Sequence, residues 1–403
     1  MKKIALRIVS LVMIVTVLFG ICAMEFSAID VVGDLTDKKP GGIVIVIPPK
    51  DPSDGEVVHV TYECCDECGY KKTYNYRSSV DIKVRTDGYC LDGENAFLCW
   101  TDEKGNRYYG GETLMKEDIT LKAQKMPLLL KPDEVLRFSN SDDDFHTDEF
   151  DGYYMNDADY NMMKKNINKV FGTLNPISLG LKAVFATYPS WEWNGSCYGM
   201  STLAFLQHYG VIDVLEPQKG KDSLSDFTNS ADIASKINYY QWSAAGSFLC
   251  ENFALKKGSA VYSAQLKNLY DTVADGNIVL FTFYSGDIFV TSGHTVLLTG
   301  AYTKVDGTRV LVAYDCNNPE DYLNGEFEQR FYIDPDCTTI KRLYNLEGTA
   351  WLNIGAFNWT DDYSHFEPFR TDGKGKASDW YSYFAKQLVK NAETVFRATF
   401  KVK

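Results

Sequence analysis

Histidine is scarce in this chain, with five in 403 residues. Any chemistry that needs an imidazole must therefore use His59, His146, His208, His294 or His365. Positive charge is also in deficit. Lys and Arg number 41 against 54 Asp and Glu, for a net charge of −13. That balance argues against nucleic acid and anionic membrane surfaces as partners. Beyond residue 30 no stretch approaches the roughly 20 uninterrupted apolar residues of a membrane-spanning helix. The acidic run Asp142-Asp143-Asp144 is not followed by a full set of oxygen ligands, so it reads as a solvated loop rather than a calcium site.

What is present begins with a leader. Lys2, Lys3 and Arg7 precede an apolar run from Ile8 to Ala23 with small residues after it, the pattern of a signal peptide over residues 1–28. Ile21 stands where a lipobox needs a small residue before Cys22, which disfavours a lipid anchor. The expected mature protein is extracellular, with no membrane span. Residues 29–56 are broken by Lys39-Pro40-Gly41-Gly42 and by Pro48, Pro49 and Pro52, and form a linker.

From 57 to 125 the pattern is short β runs separated by turns. Val58, Val60 and Tyr62 alternate with polar residues, as do Val80, Ile82 and Val84, and Lys104-Gly105-Asn106 supplies a turn. Phe97 to Asp102, Tyr108 to Glu112 and Glu117 to Ala123 together resemble the repeat of internalin-type bacterial surface proteins. The resemblance implies a small β-grasp-like module, a spacer or an adhesion surface for a cell-surface or matrix partner. Cys65, Cys68, Cys90 and Cys99 depart from that pattern. Cys65 and Cys68 have the spacing of half a zinc site, but Cys90 and Cys99 lie too far apart to mirror it. Disulfides or inert thiols fit better, and no cofactor or metal is expected. Of ten cysteines, Cys22 leaves with the leader, and the odd remainder points to an unpaired thiol, for which Cys197 is the candidate.

Residues 126–190 read as helical and acidic, with Asp157 as an N-cap before Tyr160, Met163, Ile167 and Val170. They are either propeptide-like or the first part of a catalytic domain spanning 126–403. Cys197 follows a small turn, Asn194-Gly195-Ser196, and opens an apolar run of helical period that stops at Gly210. A helix N-terminus favours negative charge and so biases a thiol toward thiolate. A second helix is marked by Val261, Leu266, Leu269, Tyr270 and Val273, and Gly276 ends it. Apolar strands follow at 278–284, 295–302, 309–314 and 327–333. Helices followed by an antiparallel sheet make an α+β arrangement.

A thiolate needs a proton acceptor. His208 lies on the same helix as Cys197, about 16 Å along it, too far to serve. His294 heads a buried strand in Ser292-Gly293-His294-Thr295-Val296. If Val305-Asp306-Gly307 turns a hairpin, the end of the next strand returns beside His294 and brings Asp315 to it, with Asn317 as the alternative orienting residue.

Gly195-Ser196-Cys197-Tyr198-Gly199, Gly293-His294-Thr295-Val296 and Tyr314-Asp315 resemble, in this order, the Cys, His and Asn/Asp segments of papain-like cysteine peptidases. The resemblance spans about 135–360, and the acid at 315 is closer to the bacterial leader-peptide-processing branch. It implies a papain-like fold and hydrolysis of protein or peptide substrates through an acyl-enzyme on Cys197. The family's glutamine before the cysteine is missing from Pro189 to Trp193, leaving Asn194 as a substitute oxyanion donor. Trp191 and Trp193 suit either a substrate groove or the core. A transglutaminase-like acyl transferase uses the same order of residues, and an inactive surface-binding protein is the reading from another class.

Overall fold

The computed structural model describes residues 55–64, 68–85, 95–114, 116–141, 144–147, 152–161, 195–209, 218, 220–243, 255–257, 261–285, 292–323, 330–343 and 351–359. The expected leader and nearly all of the expected linker lie outside them, as do Cys65, Cys90, Asn194, both tryptophans at 191 and 193, and His365. Among the described residues the molecule is α+β, with two sheets, and no helix is long and apolar enough to cross a membrane.

The first sheet holds β1 (Val57–Glu63), β2 (Lys71–Arg77), β3 (Asn95–Thr101), β4 (Arg107–Tyr108) and β5 (Ile119–Pro127), in the order β2-β1-β5-β3-β4. β1 and β5 pair in parallel at its centre, and the other pairs are antiparallel. Alternation along β1 puts Val58, Val60 and Tyr62 into a core with Ile82, Val84, Phe97, Trp100 and Leu121. The run at 80–84 alternates in the same way yet forms no strand. It meets 111–114 through an isolated bridge between Lys83 and Thr113, with the Val84 N–H on the Glu112 carbonyl at 2.9 Å and the Leu114 N–H on the Ile82 carbonyl at 2.8 Å, and Ile82 and Val84 bury. Burial rather than a ladder explains that apolar period.

The second sheet has eight strands in the order β12-β11-β10-β9-β8-β7-β13-β6. Its centre is β7 (Val279–Ser285), β8 (Ser292–Thr303) and β9 (Arg309–Tyr314), flanked by β10 (Arg330–Ile333) and β11 (Ile340–Leu343). All of these pairs are antiparallel. β6 (Leu255–Lys256), β12 (Trp351–Asn353) and β13 (Ala356–Trp359) complete it. The expected hairpin forms: Gly307 takes φ +85° and its N–H bonds the Lys304 carbonyl at 3.0 Å, closing β8 onto β9.

Helix α1 (Cys197–His208) is buried along nearly its whole length, from Cys197 to Leu206. It lies between the sheet and α2 (Ala231–Ser243), sharing a core with Leu280, Leu297, Val312 and Tyr314. The close crossing of the two helices needs a bare Cα at Gly199, where a Cβ would meet the Ile237 carbonyl oxygen at 2.2 Å. α3 (Tyr262–Ala274) packs its Leu266, Leu269 and Val273 into a second core with Val296, Leu311 and Phe331, and the short α4 (Pro319–Leu323) follows β9.

Residues 128–147 are largely not helical, contrary to expectation. Apart from a single 3-10 turn at Pro132–Glu134 its described residues are irregular, and their apolar side chains serve the core instead of a helical stripe. Leu130, Val135, Leu136, Phe138 and Phe145 join the α1 cluster, and the Leu130 carbonyl accepts from the Tyr322 hydroxyl. Helical backbone does begin at 157, but the cap is Asn156. Its Oδ1 accepts the Asp159 N–H at 2.8 Å, which makes Asp157 the first residue inside.

The two sheets touch through the β8–β9 hairpin. Tyr109 and Tyr302 stack with ring centres 5.7 Å apart, and Lys304 pairs with Glu112. Arg330, 6 % exposed, donates to the Phe97 carbonyl at 3.0 Å and the Tyr302 hydroxyl at 3.1 Å. Met126 fills the space above Gly300, where a Cβ would approach its methyl at 2.7 Å.

Candidate active site

The turn before α1 is shaped by Gly195, whose φ of +81° only glycine adopts freely. Asn140 sits against it. Its Oδ1 accepts the Ser196 N–H, its Nδ2 donates to Asn317 Oδ1 at 2.9 Å, and its own N–H bonds the Cys316 carbonyl at 2.9 Å. One side chain thus ties the loop before the cysteine to the loop after β9. Ser196 Oγ turns inward to Asn238 on α2 at 3.1 Å, and Gln241 Oε1 accepts the Gly199 N–H at 3.0 Å. These bonds fix the first turn of α1, where Cys197 is 9 % exposed.

Strand register supplies the rest. β7 pairs Phe283 with His294, and β8–β9 pairing runs up to Leu297 opposite Tyr314. A register shift between Leu298 and Gly300 sets the alignment of that end. Asp315, one residue past β9, therefore reaches His294, and its Oδ1 lies 2.7 Å from Nε2. The imidazole and the Thr295 N–H both act on the Cys197 sulfur and favour its ionised form. Cys197, His294 and Asp315 form one cluster.

Asn317 does not touch the ring. Its N–H donates to Asp315 Oδ1 at 2.9 Å and so supports the carboxylate. Asp315 Oδ2 meets Arg342 Nη2 of β11 at 3.0 Å. Neither Arg342 nor Asn140 stood out in the sequence, because Lys341-Arg342 looks like a solvated pair and Ser139-Asn140-Ser141 like a loop.

The electrostatics follow from burial and these contacts. Burial opposes ionisation of Cys197, but the His294 charge, its hydrogen bond and the Thr295 N–H outweigh it, and the thiol pKa falls below its ordinary 9.0. Burial likewise disfavours the imidazolium, yet Asp315 and the Cys197 thiolate raise His294 to about 10. For Asp315 burial is outweighed by His294, Arg342 and the Asn317 N–H, which lower it to about 2. The neighbouring Cys316 is driven the other way, well above 9.0, by burial and by the two negative neighbours.

Of the other histidines, His208 bonds Glu134 Oε2 at 3.1 Å and His59 bonds Asn75 Oδ1 at 2.8 Å, while His146 packs on Phe145 and Tyr153. None of these three is in the cluster. Asn194, the expected oxyanion donor, lies outside the described residues. Cys99 is a buried thiol of β3 and Cys68 is exposed, with its sulfur 3.4 Å from the Tyr70 N–H. Among the described residues no group of three or more metal-ligating side chains assembles. Cys197 is a free thiol, as are Cys99, Cys316 and Cys337.

Compared with known protein families, with curated proteins and with solved structures, the chain matches none of them.

Proposed function

We propose that this protein is a papain-like cysteine peptidase, secreted under the direction of residues 1–28, that hydrolyses protein or peptide substrates. The observation that carries the reading is the Cys197–His294–Asp315 cluster, in which the imidazole lies 2.7 Å from the carboxylate and also acts on the thiol. A buried thiolate beside an imidazolium has little structural purpose, because an inert thiol in the same place would cost less. The thiolate attacks the scissile carbonyl carbon, forming a C–S bond and an oxyanion that the Cys197 N–H stabilises. His294 then gives its proton to the departing amine as the C–N bond breaks. In the second half it takes a proton from water, whose oxygen displaces the sulfur. Asp315 holds the ring in the required tautomer and stabilises its charged form throughout.

The parallel β1–β5 pair at the centre of the first sheet supports a β-grasp-like module over 57–125. In this reading the module carries no chemistry and presents a surface for an extracellular partner.

Replacing Cys197 by Ala is expected to abolish casein hydrolysis, a loss on the order of 10⁵–10⁶-fold, while the protein stays folded. Retained hydrolysis in that variant ends the proposal. Amide crosslinks formed with an added amine, instead of shortened peptides, would assign the same cluster to acyl transfer.

A further inference from the structure

We infer that Arg342 is a positioning residue of this cluster, balancing the Asp315 charge so that Cys197 and His294 can stay ionised together; the inference rests on the peptidase reading above. Thiolate, imidazolium, carboxylate and guanidinium carry charges that cancel, and all four are enclosed. The side chains of Asp315 and Arg342 are 2 % and 13 % exposed, and that of His294 is 17 % exposed. Buried charge is tolerated only when it is compensated. Without the guanidinium the cluster holds one negative charge in excess. It then relieves that excess by keeping the sulfur protonated or by protonating Asp315.

The seat for Arg342 is built for a cation. β10–β11 register places it opposite Phe331, and its guanidinium lies 5.8 Å from the Phe331 ring and 5.5 Å from that of Phe283. Phe283 in turn meets His294 edge-on at 5.7 Å. The same ring therefore touches both cations of the cluster. Arg342 also fixes the plane of the carboxylate by holding Oδ2, which leaves Oδ1 aimed at His294. The other titratable groups facing the cluster among the described residues are Cys316 and Tyr314, both kept neutral by burial. Neither can supply the missing positive charge.

The test is the pH dependence of Cys197 alkylation by iodoacetamide, followed by mass spectrometry of the peptide that contains it. Wild type is expected to react with a midpoint well below that of an ordinary thiol. Arg342→Met should raise the midpoint by about one unit, roughly tenfold slower reaction on the acid limb. Arg342→Lys, which keeps the charge, should return most of the way to wild type. Asp315→Asn combined with Arg342→Met removes both charges and should also bring the midpoint back down, an outcome no purely structural role predicts. A superimposable profile for Arg342→Met, or a double variant shifted further than the single one, overturns the inference. If Arg342→Met does not fold, the lysine and double variants decide in the same way, since a midpoint raised in either contradicts charge balance. A wild-type midpoint at the ordinary thiol value refutes the nucleophile itself, which separates that failure from a failure of Arg342 alone.

Discussion

Two arginines on adjacent strands, the buried Arg330 of β10 and the partly buried Arg342 of β11, reach partners toward opposite ends of the β8–β9 hairpin. Arg342 faces a carboxylate at the end that carries His294 and Asp315. Arg330 faces a tyrosine hydroxyl and a backbone carbonyl at the end that touches the N-terminal sheet. A guanidinium offers five donors in a rigid fork and remains charged even when buried, so one residue type suits both places. The partner decides the outcome. A carboxylate turns the cation into part of an ion network, whereas neutral acceptors turn it into a stitch between two sheets.

Arg330→Met leaves the Phe97 carbonyl and the Tyr302 hydroxyl without their donor, and hydrogen bonds to charged groups contribute about 1.5–3 kcal/mol each. A loss of about 3 kcal/mol in a denaturant titration is expected, with the Cys197 alkylation profile unchanged. An altered profile would show that the two arginines do not have separate tasks.

At the other end, Gly195→Ala forces a left-handed backbone on alanine and drives its Cβ to within 2.6 Å of Asn140 Nδ2. The strain is expected to cost about 1–3 kcal/mol. It should lower kcat/KM by more than the loss of folded protein explains, because Asn140 links the loop before Cys197 to the loop after β9. Full activity per folded molecule would remove Asn140 and Gly195 from the account of the site.

The finest probe is pH. His294 is raised from 6.5 to about 10, so its contribution is fully present below 6.5 and is lost as pH rises through about 10. Cys197 is lowered from 9.0, so its contribution is present above 9.0 and is lost as pH falls through the folded value. Above both 6.5 and the folded Cys197 value, and below 9.0, the unfolded pair holds its single proton on sulfur and the folded pair holds it on the ring. Stability should therefore be flat across that window. Cys197→Ala removes the compensation, and its stability should fall as pH rises from 6.5, by at most about 1.4 kcal/mol per pH unit. Parallel melting curves for the two proteins across the window would contradict the ion pair. Asp315, lowered to about 2, adds stability above 3.8 that disappears as pH falls through about 2.

Much of this architecture could be read from local pattern. The helix at Cys197, the strand at His294 and the turn at Asp306-Gly307 each follow from a period or a glycine within a few residues. The scarcity of histidine narrowed the base to very few choices. Patterns failed where an apolar period served burial without a ladder, at Ile82 and Val84, and where core residues sat on irregular backbone, from Leu128 to Phe145. In both places hydrophobicity recorded the depth of a side chain and not the path of its backbone.

A thiol at a helix start and a histidine near a strand head are local facts, written in the chain within a few residues of each. Which distant side chains contact that site is a matter of tertiary structure. Arg342 and Asn140 lie 27 residues after and 177 residues before their partners Asp315 and Asn317. Only strand register and loop packing bring them within hydrogen-bond range, and an interaction that decays over a few ångströms leaves no trace in a chain read in order.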